Sequence, residues 1–127
     1  MPRQKSPTLT DAELRLMDVL WRRGSSTVGD VVNALPKRAK LAYSSVLTTL
    51  RILDRKGYVR HEKRGRAFVY EPVIGRQEAR RSAVESLVGR FFEGSAELLV
   101  LNVLENEALD ADDLARLRRM IEETESS

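Results

Sequence analysis

The spacing of apolar residues changes character at Gly57. Up to that point apolar side chains recur at the roughly 3.6-residue interval of a helix; from Tyr58 to Tyr70 the chain is rich in β-forming residues, and beyond Pro72 the helical interval returns. One element cannot satisfy both periods. The chain must therefore build helices, then a strand pair, then helices again.

The helical signals before Gly57 divide into three segments. Thr10 with Glu13 three residues on is a capping box, Leu14, Met17, Leu20 and Trp21 fall on one stripe, and Gly24 suits a left-handed stop, predicting a helix over 11–23. Ser26 or Thr27 caps a second helix over 28–35, with Asp30 near its start, an apolar face of Val28, Val31, Val32 and Leu35, and Pro36 at its end. Residues 36–40 read as a polar, basic connection. A third helix over 42–56 ends at Gly57 and has two unlike sides. Val46, Leu47, Leu50 and Leu53 gather with Tyr43 on the side expected to face the core. Ser44, Ser45, Thr48, Arg51, Ile52 and Arg55 occupy the other side. Short hydroxyls are mediocre helix formers, so a face made of them leaves room for something to approach the backbone closely.

Residues 58–71 read as a two-stranded hairpin, with Lys63, Arg64, Gly65 and Arg66 as its turn and Gly65 supplying positive φ. Three small helices followed by a hairpin is the winged helix-turn-helix arrangement, whose third helix is offered outward. The expected fold is mainly α with a small β-hairpin: an N-terminal arm over 1–8, flexible and rich in proline, a winged helix-turn-helix domain over 9–73, and a C-terminal helical dimerisation region over 74–127.

Charge also separates along the chain. Residues 1–91 carry 19 Lys and Arg against 9 Asp and Glu, a net of +10, whereas residues 92–127 carry 3 against 10, a net of −7, which together give the chain's +3. Seven cations lie between Arg51 and Arg66, opposed by Asp54 and Glu62 alone. Such a cluster next to a hydroxyl-faced helix points to double-stranded operator DNA as partner: cations release the counterions of the phosphate backbone, and short polar side chains reach base edges and phosphates. The residues expected to carry this contact are Lys40, Ser44, Ser45, Thr48, Thr49, Arg51, Arg55, Lys63, Arg64 and Arg66. Tyr43 is expected to pack rather than to touch a base. The rival reading is a winged-helix protein–protein adaptor that binds no DNA, which the density of cations disfavours. Enzymatic chemistry finds no support: the chain has no Cys, one His and no Gly-rich phosphate loop. The missing thiols also exclude disulfides and thiolate metal sites, so neither a metal nor a cofactor is expected. With no apolar run near the roughly 18 residues of a membrane span, no membrane association is expected, and the cytoplasm is the expected location.

The last third predicts helices over 76–92, 95–106 and 111–124. Val84, Leu87, Val88, Phe91, Leu98, Leu101, Leu104, Leu114, Leu117 and Ile121 are more apolar bulk than so short a segment can bury on itself. A second copy of the chain is the expected cover, making a homodimer.

The stretches LTDAELRLMDVLW, AYSSVLTTLRILDRKGYV and ELLVLNVLENEALDADDLARLRRMIEE resemble the penicillinase and methicillin-resistance repressors, a family that also holds copper-responsive repressors. The resemblance covers about residues 9–124 and implies a homodimeric winged-helix transcriptional repressor. The copper-responsive members carry paired C-terminal cysteines, which this chain lacks. The antibiotic-resistance repressors are inactivated by a regulatory protease at an Asn-Phe bond in the dimerisation segment. Asn102 matches that position and Val103 stands in place of the Phe, so the resemblance implies the Asn102–Val103 bond as the cleavage point.

Overall fold

The computed structural model describes residues 9–126. The expected arm over 1–8 lies outside them. The elements are α1 (Asp11–Arg23), β1 (Ser26–Thr27), α2 (Val28–Ala34), a single 3₁₀ turn (Lys37–Ala39), α3 (Tyr43–Lys56), β2 (Val59–Arg64), β3 (Ala67–Pro72), α4 (Arg76–Phe91), α5 (Ala96–Asn106) and α6 (Ala111–Ser126). The chain divides into two compact units, with the boundary between Ser86 and Leu87.

Local chemistry sets most of these boundaries. The Thr10 backbone N–H donates to Glu13 Oε1 (2.9 Å) and the Glu13 N–H donates back to Thr10 Oγ1 (3.1 Å), closing the capping box of α1. Thr27 and Asp30 repeat the arrangement at α2, both bonds 3.0 Å long. Gly57 stops α3 with φ 87° and ψ 11°, a left-handed residue that costs little only as glycine. At the wing, Arg64 pairs with Ala67, so the connection is the two residues Gly65 and Arg66. Gly65 takes φ 63°, as the first position of a type II′ turn demands. Lys63 and Arg64 are therefore strand residues, and the expected four-residue turn is shorter because β2 and β3 stay in register to its edge.

The expected two-stranded hairpin is a three-stranded antiparallel sheet in the order β1-β3-β2. Ser26 pairs with Tyr70 and Thr27 with Val69. Two residues carry no periodicity of their own; β1 exists because β3 supplies its partner, and it pins the α1–α2 junction to the wing.

The core of the first unit combines Leu16, Met17, Val19 and Leu20 of α1 with Val28, Val31 and Leu35, with Val46, Leu50 and Leu53 of α3, and with Tyr58, Val59, Tyr70, Ile74 and Ala79. The α1 stripe is thus rotated from the expected one: Leu14 is 43% exposed, and Leu16 and Val19 take the inner positions. Tyr43 also departs from expectation. It is 57% exposed, because as the first residue of α3 it precedes the turn that packs on α1 and α2.

Two polar ties close this unit. Glu13, 4% exposed, accepts from Lys56 Nζ at 2.8 and 3.0 Å and so joins the start of α1 to the end of α3. Trp21 Nε1–H donates to the Ile74 carbonyl (2.9 Å), while Arg76 lies over the Trp21 ring at 4.8 Å and pairs with Asp18 at 2.8 Å. The first turns of α4 are held to α1 in this way.

In the second unit, Ser95 caps α5 by accepting from the Leu98 N–H (3.2 Å), and Asp110 caps α6 by accepting from the Asp113 N–H (2.8 Å). From Leu87 to Glu125 no residue is buried. Among the described residues no helix is long and apolar enough to cross a membrane.

Candidate nucleic-acid interface

The outer side of α3 is built by its inner side. Val46, Leu50 and Leu53 are fully buried, which fixes the rotation of the helix and turns Ser44, Ser45, Thr48, Arg51 and Arg55 to solvent. Thr49 is half-buried, and its hydroxyl donates to the Ser45 carbonyl (2.9 Å), so it is bound to its own helix. Ile52 is half-buried between the two sides. Lys40 is exposed before the helix, with Nζ donating to the Val32 carbonyl at 3.3 Å.

Gly57 and Tyr58 alone separate α3 from β2. The Tyr58 carbonyl accepts from the backbone N–H groups of Val73 (2.8 Å) and Ile74 (3.3 Å), and Tyr58 itself is buried. Helix and wing are consequently carried on one anchored corner.

The seven cations of residues 51–66 are not equivalent. Lys56 belongs to the Glu13 tie. Arg60 pairs with Glu71 at 2.5 Å and Arg64 with Glu62 at 2.8 Å. The Arg60 guanidinium holds the Glu71 carboxyl below the usual carboxylate range, first by its hydrogen bond and then by its charge. Arg51, Arg55, Lys63 and Arg66 are exposed along the helix and the wing, as are the paired Arg60 and Arg64. Three of the seven cations thus meet carboxylates of their own chain, which offsets part of the charge that the residue count suggests.

Sequence reasoning did not single out the groove where helix and wing meet. Arg51, Asp54, Arg55, His61, Phe68 and Tyr70 line a space of about 570 Å³ there. His61 Nδ1 is hydrogen-bonded to Asp54 Oδ2. The imidazole stands edge-on to Phe68, with ring centres 5.4 Å apart, and beside Tyr70 at 5.7 Å. Burial pushes the Tyr70 phenol above its ordinary range, and the nearby Arg51 guanidinium works against that shift. The signal for this cluster lay in the register that sets His61 opposite Tyr70, which pairing and not composition reveals.

The residues expected to dimerise are exposed in the single chain: Val84, Leu87, Phe91, Leu98, Leu101, Leu104, Leu114, Leu117 and Ile121, with Val88 half-buried. Asn102 and Val103 are exposed in the middle of α5.

Hydroxyls at close range, guanidinium groups beside them and a cationic two-stranded tip form a surface suited to a polyanion with a regular groove, and the fold that presents it is that of a winged-helix protein. Comparison with known proteins narrows the class. Residues 9–123 match the penicillinase repressor family, and the chain belongs to that family. It is 34% identical over 120 residues to the penicillinase repressor of Bacillus licheniformis, covering 94% of each chain. It is 36% identical over 124 residues to the transcriptional regulator BlaI of Mycobacterium tuberculosis, covering 96% of this chain and 88% of that one. Among solved structures, the DNA binding domain of the repressor BlaI superposes with a TM-score of 0.52 at 36% identity, over 60% of this chain and 93% of that one.

Proposed function

We propose that the chain is a homodimeric transcriptional repressor that binds a pseudo-palindromic operator. The α3 helix of each copy enters a major groove, the β2–β3 wing rides on the flanking backbone, and the bound dimer occludes polymerase. The observation that carries this reading is the outer side of α3, where Ser44, Ser45, Thr48, Arg51 and Arg55 are exposed beside Lys63 and Arg66. Membership of the penicillinase repressor family supports it. Ser44, Ser45 and Thr48 lie close to bases and phosphates, Arg51 and Arg55 reach guanine edges or phosphates, and the wing cations grip the backbone. Residues 9–73 supply the DNA contact and 74–127 the pairing.

Dimerisation follows from the exposed apolar side chains of α4, α5 and α6, which a second copy covers. Two α3 helices related by a two-fold axis read half-sites about 34–36 Å apart, or a multiple of that distance. Release comes from a regulatory protease acting between Asn102 and Val103. That bond lies inside α5, where the Asn102 carbonyl also accepts from Asn106 Nδ2 (2.9 Å), so cleavage requires α5 to open locally. The protein works in the cytoplasm, where operator and protease meet it.

Selection of duplexes from a random pool by the full chain, followed by footprinting and a salt titration, tests the proposal. A two-fold symmetric site is expected, with log affinity falling by about 0.9 per phosphate contact for each log unit of salt. Arg51→Ala or Arg55→Ala should cost about 1–3 kcal/mol on the selected site if the residue reads a base. A pool that shows no enrichment and no protected duplex at low ionic strength removes the DNA reading.

A further inference from the structure

Asp54 poses a problem for any polyanion approaching α3. It is a carboxylate that lines, together with Arg51 and Arg55, the groove that α3 forms with the wing. Left alone, it would repel phosphate and compete for both guanidinium groups. The structure gives it another partner from a different element: His61 of β2, whose Nδ1 meets Asp54 Oδ2. The ring is held in that position by Phe68 and Tyr70 of β3.

We infer that the groove between α3 and the wing is a seat for one backbone phosphate of duplex DNA, held by Arg51, Arg55 and the imidazolium of His61, with Asp54 orienting the ring and being neutralised by it. This inference rests on the DNA reading above and adds to it a residue and a proton that the reading does not contain.

Facing the His61 ring are Asp54, Arg51 and Arg55 from α3, the Tyr70 phenol from β3, and Lys63, two positions along β2 on the same face of the sheet. In the free protein Asp54 lies against the ring's Nδ1, and the guanidinium groups of Arg51 and Arg55 share the groove with it. A phosphate entering the groove offsets the cations and accepts a hydrogen bond from the second ring nitrogen, so the bound state holds the proton more tightly than the free state. Proton uptake therefore accompanies binding, and affinity rises as pH falls through the imidazole titration. Because His61 is the chain's one histidine, no other imidazole contributes to this linkage.

That uniqueness also makes the test direct. The His61 ring resonances of the full chain are followed by NMR between about pH 5.5 and 8.5, free and bound to a mixed-sequence duplex about three helical turns long. The midpoint is expected to move to higher pH in the complex. In parallel, affinity for the same duplex should gain, on acidification, up to about tenfold per pH unit for each chain bound. His61→Gln should abolish that gain and, at the acid end, flatten the salt slope by about 0.9 for each chain bound, the share of one phosphate. Asp54→Asn should shift the linkage to lower pH, an effect that loss of a packing contact alone does not produce. Thermal melting of each variant without DNA reports folding separately. Equal midpoints in the free and bound chain, or a wild-type pH profile matched by His61→Gln, overturn the phosphate seat while leaving DNA binding intact. An equal midpoint shift with inorganic phosphate at matched ionic strength would mark a free-anion site and also overturn it. If the chain binds no duplex at any pH, the operator reading fails first and the seat fails with it.

Discussion

The two units of this chain handle their apolar side chains in opposite ways. The winged unit buries Leu16, Met17, Leu20, Val46, Leu50 and Leu53 completely and ties its ends with Glu13–Lys56 and Arg76–Asp18. The second unit is richer in leucine over comparable helices, yet none of its described side chains is buried. Its helices are locally well specified, with caps at Ser95 and Asp110, so poor helix formation does not explain the contrast. The winged unit completes its core with its own chain. The second unit holds its apolar surface open, and burial of that surface, at about 25 cal/mol per Å², drives association with the copy that we propose covers it.

The largest effect that would test this contrast comes from removing α6 and the end of α5. A chain ending at Asn102 should sediment as a monomer and lose about 10²–10⁴-fold in operator affinity, the effective-concentration advantage of linked half-sites. A truncated chain that remains a dimer and binds equally well would break the comparison. Next in size is Leu50→Ala, which should cost the winged unit about 2–5 kcal/mol in a urea melt, since Leu50 is fully buried. Leu104→Ala should leave that transition in place and act instead on the concentration dependence of the dimer, because Leu104 is 46% exposed in the single chain.

Glu13→Ala comes third. It removes the half of the α1 capping box in which the Thr10 N–H donates to the Glu13 carboxylate, together with the partner of Lys56, whose side chain is 23% exposed, and should cost about 2–3 kcal/mol in the same melt. The smallest effect is a pH dependence confined to the winged unit. The Thr27 backbone N–H and then the Thr27 side chain hold the Asp30 carboxyl below its ordinary range, as Arg60 does for Glu71. A carboxyl depressed in the folded state contributes stability above its unfolded pKa, and that contribution is lost as pH falls through the folded value. Melting of the winged unit should therefore weaken on acidification below the carboxylate range, and Asp30→Asn should remove part of that slope. An unchanged slope would show that the α2 cap does not depend on the charge.

Much of this fold was legible in the sequence because its boundaries are local. Thr10 with Glu13, Thr27 with Asp30, Gly57 and Asp110 announce helix ends within a few residues of themselves. The family resemblance was legible for the same reason, in uninterrupted stretches. What escaped were contacts made across long separations. β1 exists only against β3, and Lys56 reaches Glu13 across 43 residues. Periodicity placed Tyr43 on the inner side of α3, but a helix's first residue can lie beyond the surface on which the helix packs. The count of seven cations did not show that Lys56, Arg60 and Arg64 meet Glu13, Glu71 and Glu62. The candidate interface was legible as a helix side and a hairpin. The His61–Asp54 pairing inside it was not, since it depends on how β2 folds back beside α3.

The outer side of α3 owes nothing to the core for its side chains: Ser44, Ser45 and Thr48 are exposed, while Val46, Leu50 and Leu53 do the packing. Exchanging the exposed positions therefore costs the fold little, and a duplicated gene could drift to a new target by few substitutions while keeping its scaffold. Retargeting by way of Arg51 and Arg55 is harder, because both border the groove shared with Asp54 and His61, and any change there disturbs the wing as well.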